Sequence, residues 1–242
     1  MSTWSSVLAS PGLILVSCPR LALGDGGDML DRALHQIRRS APAGAAVCCP
    51  AHRAAGWGAD YVASVQDALE AVGPGGVLII DGVPDLPAKV RKSPDLMSAI
   101  LAPRSPVVIG VESLVLLGSL LPQLEAVCSH LLVGPQVLRS SLQKVRRVLE
   151  SADDAADKQG SEQLAGLAVG ELLVASLRER EAGRRFRVLA LESGPAAAPA
   201  AASPASTRRP AADLDAVLAD PPCLSDDDTG DGDSHVGKRR KP

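Results

Sequence analysis

The chain has 242 residues, 46% of them hydrophobic but only 2% aromatic, and a formal net charge of −3 at pH 7. Such a length suits one α/β domain plus a tail, with a core built from Leu, Val, Ala and Ile. These figures argue against a base-stacking surface made of aromatic rings and against a generally basic nucleic-acid binder, while local basic patches stay open.

Short aliphatic runs alternate with helical patterns along the first 192 residues. Leu13-Ile14-Leu15-Val16 reads as a first strand. Met29, Leu30, Ala33, Leu34 and Ile37 recur at helical spacing. A second strand is expected over 45–49. Tyr61, Val62, Val65, Leu69 and Val72 then give a further helix face. Val77 to Ile80 is a third strand, closed by Asp81. "SPDLMSAIL" starts a helix, with Ser93 as N-cap and Pro94 in the first turn. Val107 to Val111 and Leu131 to Val133 supply a fourth and a fifth strand. A charged helix, "VLRSSLQKVRRVLES", follows. Two apolar runs around a charged turn, "ELLVASLREREAGRRFRVLALES", then predict a β-hairpin. Continuous rather than alternating apolar strands mean a sheet covered on both faces. The expected fold is therefore a doubly wound, mainly parallel α/β sheet with a C-terminal hairpin.

Composition shifts near Ser193 to an Ala/Pro/Ser run, then to "LSDDDTGDGD", then to "KRRKP". The expected division is a domain over 1–192 and a disordered tail over 193–242. Lys238, Arg239, Arg240 and Lys241 read as a nuclear-import signal or a solubilising end. Ser225, directly before three aspartates, suits an acid-directed kinase.

The stretch "GGVLIIDGV" resembles the strand of a nucleotide-binding sheet whose terminal acid, here Asp81, helps to hold Mg²⁺. Its counterpart, the G-x-x-x-x-G-K-[ST] loop, is missing. The first strand runs instead into "SCPRLALGDGGDMLDRAL", which contains glycines but no lysine. Asp25 and Asp28 put negative charge where a phosphate would sit, and Arg20, the only nearby cation, precedes the glycines. The expectation is a turn and a helix cap, with Asp81 a degenerate remnant, and no catalytic residue, cofactor or enzymatic activity.

Other constellations are sparse. The five cysteines, Cys18, Cys48, Cys49, Cys128 and Cys223, form no C-x-x-C and read as reduced intracellular thiols. The first apolar run is too short for a secretory leader, and no run is long enough to span a membrane. Adjacent Cys48 and Cys49 point to opposite faces of a strand, so no metal site is expected, with or without His52. Lys144, Arg146 and Arg147 share a helix with Leu138, Leu142, Val145 and Leu149. They form either a solvated face or a contact to an RNA backbone or a partner.

The order strand, degenerate loop, helix, strand, helix, "VLIIDG", helix, "PVVIGVE", strand, hairpin resembles the RecA-like ATPase core. RecA-like chains without a phosphate loop are typical of the accessory subunits of Elongator. The layout from "SSVLASPGLILVSCPRLALG" to the acidic tail is similar to its fifth subunit. That resemblance implies a non-catalytic subunit of a hetero-oligomer of RecA-like chains that supports modification of wobble uridines in tRNA, with tRNA bound through the complex. It also implies a pool in the cytoplasm, with the basic end adding a nuclear one. The terminal hairpin is equally similar to that of Rad51-type accessory factors of recombination, which stand as the alternative.

Overall fold

The computed structural model describes residues 3–9, 11–24, 27–86, 93–149, 154–177 and 186–192. Seven strands form a single sheet in the order β2-β3-β4-β1-β5-β6-β7. They are β1 (Leu13–Ser17), β2 (Ala45–Cys48), β3 (Val77–Asp81), β4 (Val107–Val111), β5 (Cys128–Val133), β6 (Glu171–Ser176) and β7 (Phe186–Ala190). The first five are parallel to one another. β6 and β7 add antiparallel, as the expected hairpin. Its turn, with Arg178, Arg180, Arg184 and Arg185, lies outside the described residues.

The all-apolar strands are explained by two hydrophobic layers. Ile14 and Val16 of β1 face one layer, with α1 (Thr3–Val7) and α2 (Met29–Ser40). Leu13 and Leu15 face the other. That second layer contains α4 (Val65–Ala71), α5 (Pro94–Leu101), α6 (Leu121–Val127) and α7 (Arg139–Leu149). Cys48 and Cys49 fall in opposite layers, as strand alternation requires. A short α3 (Ala54–Trp57) follows β2, and α8 (Asp154–Ala165) precedes β6. Among the described residues, no helix is long and apolar enough to cross a membrane.

Three local expectations change. The helix expected from Tyr61 begins only at Val65, because the Ser64 side chain accepts from Asp67 N at 3.1 Å and sets the start there. Tyr61 is extended and bridges to Val47 of β2. Ser93 is at the N-cap position of α5, but its side chain makes no capping bond. α1 and α8 carry no strong apolar period of their own and were not expected.

The tightest packing of helix on sheet is over Gly110 of β4. A Cβ there would lie 2.7 Å from Leu34 Cδ1 and 3.2 Å from its Cδ2, and Leu34 is fully buried. Glycine therefore sets how closely α2 approaches the sheet. Gly110→Ala should lower stability by about 2 kcal/mol through overpacking. Urea unfolding at neutral pH checks this, and an unchanged midpoint would mean that α2 can shift outward freely.

Candidate functional site

The carboxyl ends of β1, β3 and β4 meet where the chain reverses its direction of travel across the sheet. After β1 it steps toward β2 at one edge; after β4 it crosses β1 to reach β5. In open α/β sheets that crevice is the usual ligand site. Here it holds an interlocked group of charges.

The described residues of the loop after β1 fold back on one another. Ala22 and Asp28 form an antiparallel bridge. Leu23 N donates to Gly27 O at 2.7 Å, and Met29 N to Leu21 O at 3.1 Å. Asp28 then caps α2, its Oδ1 accepting from Asp31 N at 2.8 Å. The expected turn and helix cap are both present. Asp25 lies outside the described residues.

Arg20 occupies the centre of the group rather than the wrong side of it. Its Nη1 donates to Asp28 Oδ2 at 2.6 Å and to Asp31 Oδ1 at 2.8 Å. Nε donates to Glu112 Oε1 at 2.9 Å, and Nη2 reaches Asp81 Oδ1 at 3.4 Å. A second arginine arrives from the turn after β2. Arg53 Nη1 donates to the same Asp81 Oδ1 at 3.0 Å and Nη2 to Asp85 Oδ2 at 3.0 Å. Gly82 makes this approach possible. Its φ is +75°, and a Cβ there would lie 2.5 Å from Arg53 Nη1.

Asp81 is the buried member, with its side chain 1% exposed. Burial pushes its pKa up; the Arg53 and Arg20 charges pull it back, Asp31 adds to the rise, and the Trp57 indole weakly opposes it. Oδ2 makes no hydrogen bond of good geometry. Arg20 is held firmly charged: burial works against the guanidinium, but the bonds and charges of Asp31 and Asp28 outweigh it. Nearby thiols are inert. Burial, with Asp28 adding and Arg20 opposing, raises Cys18 to about 12. Burial, chiefly, raises Cys49 to about 11. His35 stacks on Trp57 with ring centroids 4.2 Å apart, and burial followed by Arg38 lowers its pKa. Among the described residues, no group of three or more His, Cys, Asp or Glu is arranged to hold a metal ion.

Of the residues singled out from sequence, Asp81 lies in this crevice. Lys144, Arg146 and Arg147 lie on α7, with both arginines exposed and Lys144 half-buried. Lys238, Arg239, Arg240, Lys241 and Ser225 lie outside the described residues. Sequence reasoning missed Arg53, Asp85 and Glu112 and misplaced Arg20. The one available signal was that each follows an expected strand end.

Comparison with known proteins yields fold information only. No family model matches the chain, and no curated protein matches it. Among solved structures, the genome packaging NTPase of Sulfolobus turreted icosahedral virus 2 in complex with AMPPCP covers 76% of this chain and 98% of its own, at 11% identity and a TM-score of 0.50. The DNA-packaging ATPase from Sulfolobus Turreted Icosahedral Virus covers 75% and 98%, at 10% identity and a TM-score of 0.49. The fold is RecA-like. The expectation that this chain is not an enzyme is thereby corrected. A RecA-like fold of this outline holds AMPPCP in a packaging NTPase, so the fold itself is one that accommodates a nucleotide. The crevice also contains a cation, Arg53, that the loop sequence did not reveal. Two guanidiniums converge there, and arginine binds phosphate as readily as carboxylate.

Asp81 and Arg53 generate a pH-dependent prediction. Arg53→Met leaves the buried carboxylate with only the longer Arg20 contact and should cost about 3 kcal/mol at pH 7. The folded-state pKa of Asp81 is already raised, and losing Arg53 raises it further. Stability tied to Asp81 is therefore full below the unfolded carboxyl pKa and is lost as pH rises through the folded one. The deficit of the variant should shrink on acidification toward pH 5, read by urea unfolding across that range. An equal deficit at both ends would assign the cost to lost packing alone.

Proposed function

We propose that this chain is a RecA-like subunit of a hetero-oligomer of the Elongator type, and that the assembly supports modification of wobble uridines in tRNA. One observation carries the reading as an assembly subunit. The loops at the carboxyl ends of β4 and β5 expose Val115 (46%), Leu116 (53%), Val137 (69%) and Leu138 (63%) beside the charged crevice. Large aliphatics grouped on one face mark an interaction site more often than an ordinary surface. The Elongator assignment within that reading is supported by the RecA-like fold, the lysine-free loop after β1 and the closing hairpin. The outer hairpin strand β7 is a sheet edge with Val188 exposed, which also suits assembly.

A specific feature keeps recombination as the second reading, because the β6–β7 hairpin is shared with Rad51-type accessory factors. Copurification on the tagged full chain separates the two. RecA-like partner chains, and loss of wobble-uridine modification when the chain is deleted, are the expected result. Recombination proteins as partners, with tRNA modification intact, would overturn it. Nucleotide turnover is measured on the same partner-bound sample, where dependence on Arg20 and Arg53 would place it in this crevice.

The proposal extends to a cytoplasmic and a nuclear pool, resting on the basic run at 238–241. A reporter carrying residues 194–242 should leave the nucleus when Lys238, Arg239 and Arg240 are changed to alanine, and Ser225→Asp should shift it toward the cytoplasm. Identical distribution of all three forms would make the basic run a solubilising end only.

A further inference from the structure

The amino end of the sheet, opposite the charged crevice, carries a cavity of about 370 Å³. It opens between the last turns of α4 and α5. Its floor is Leu78 of β3 and Val107 of β4, which pair in register. Leu69 and Val72 line it from the α4 side, Ala99 and Ala102 from the α5 side. Such a volume is within the range of small-molecule sites. The polar side chains that line it are Ser98, Arg104 and Ser105. Among the described residues, Arg104 is the only charged group lining this cavity. The same is true of a neighbouring cavity of about 280 Å³ that shares Arg104 and Ser105. Arg104 is exposed and, among the described residues, makes no ion pair. Its backbone is nevertheless anchored. Pro103 and Pro106 bracket Arg104 and Ser105 and fix φ on either side of them. Leu78 N donates to Pro106 O at 3.1 Å, and Val107 N to Gly12 O at 3.0 Å, which ties this loop to the sheet.

The two ends of the sheet therefore treat an anion differently. In the crevice, Arg20 and Arg53 are already bonded to carboxylates that an incoming anion must displace. Arg104 meets no such competition, and its planar fork matches a carboxylate. The geometry points to a second binding site here, for a small aliphatic monocarboxylate. Its carboxylate is held by Arg104, with Ser98 and Ser105 as hydroxyl donors, and its chain lies against Leu69, Val72, Leu78 and Val107. One cation balances one negative charge. The carboxyl ends of α4 and α5 reach the cavity with the negative poles of their dipoles, so a dianion such as a phosphate monoester is disfavoured. The described lining contains no aromatic ring to stack on a flat ligand, whereas its aliphatic floor and wall gain by covering a hydrocarbon chain. This site is independent of the assembly reading above.

Calorimetric titration of the purified full chain with octanoate tests this. Wild type should bind one octanoate with a submillimolar Kd. Butyrate, which buries four fewer methylenes, should bind at least about tenfold more weakly. Octylamine, with the same chain and the opposite charge, should not bind. Arg104→Met keeps an unbranched stem at an exposed position and should weaken octanoate about tenfold or more while leaving the melting temperature unchanged. Ala99→Phe, which fills the cavity from α5, should abolish binding. Absence of saturable octanoate binding to wild type would overturn the proposal. Octylamine binding as tightly as octanoate would overturn it too, since the cavity would then select a chain and not a carboxylate. Octanoate affinity unchanged in either Arg104→Met or Ala99→Phe would place the ligand elsewhere and overturn it as well. A chain that fails these tests and still copurifies with RecA-like partners would leave the assembly function standing, and one that binds octanoate without those partners would overturn that function and not this site.

Discussion

One buried carboxylate organises the functional end of this molecule. Asp81 ends the third strand with its side chain withdrawn from water, and burial raises its pKa despite two arginines. An ionised group in that position is tolerated only with hydrogen-bonded counter-charges, because removing either partner leaves a desolvated charge. The requirement is met from loops distant in sequence. Arg20 comes from the loop after β1 and Arg53 from the turn after β2. Each arginine then recruits further carboxylates, from α2, from the turn after β3 and from the end of β4. The loops after four parallel strands are therefore held together by charge at the end of the sheet where a RecA-like fold places its ligand crevice.

The body beneath that network is aliphatic. Both faces of the sheet are covered, and aromatics are so few that close approach of backbone replaces large side chains. Gly110 lets Leu34 of α2 sit almost on the strand, and Gly134 leaves room for the sulfur of Cys18. The glycine at position 82 does the corresponding work for the site, admitting the Arg53 guanidinium to Asp81. Packing and electrostatics meet at that position, since the residue that permits the turn also permits the ion pair.

The strands and α2 were legible because their information is local. Leu13 to Val16 and Val77 to Ile80 are unbroken apolar runs, and Met29 to Ile37 keeps a helical period. The hairpin was legible for the same reason, from two apolar runs around a charged turn. The start of α4 was not, because Tyr61 and Val62 fit the helical period by chance while the Ser64 cap decides the boundary. The site was legible as Asp81 and as the capping Asp28. Arg20 looked misplaced because linear distance from the glycines was taken for spatial distance. In the fold the loop after β1 doubles back through the Ala22–Asp28 bridge and brings Asp28 and Asp31 onto the Arg20 guanidinium. Arg53 carries no pattern that marks it, since its role depends on β2 being two strands away from β4 across β3.

The absent lysine does not leave the end of the first strand without positive charge. A phosphate-loop lysine is one way to put positive charge at the end of the first strand; a guanidinium reaching in from the same loop and another from the next are a different way. What distinguishes the two is the competition. A lysine in an open loop is solvated, whereas Arg20 is already bound to four carboxylates and Arg53 to Asp81 and Asp85. Any anion entering this crevice has to exchange places with carboxylates that remain nearby and repel it. A cationic surface meets no such barrier, because it adds counter-charge to a group where acids outnumber arginines. The same chemistry that holds the strand ends together therefore favours a basic partner at this face.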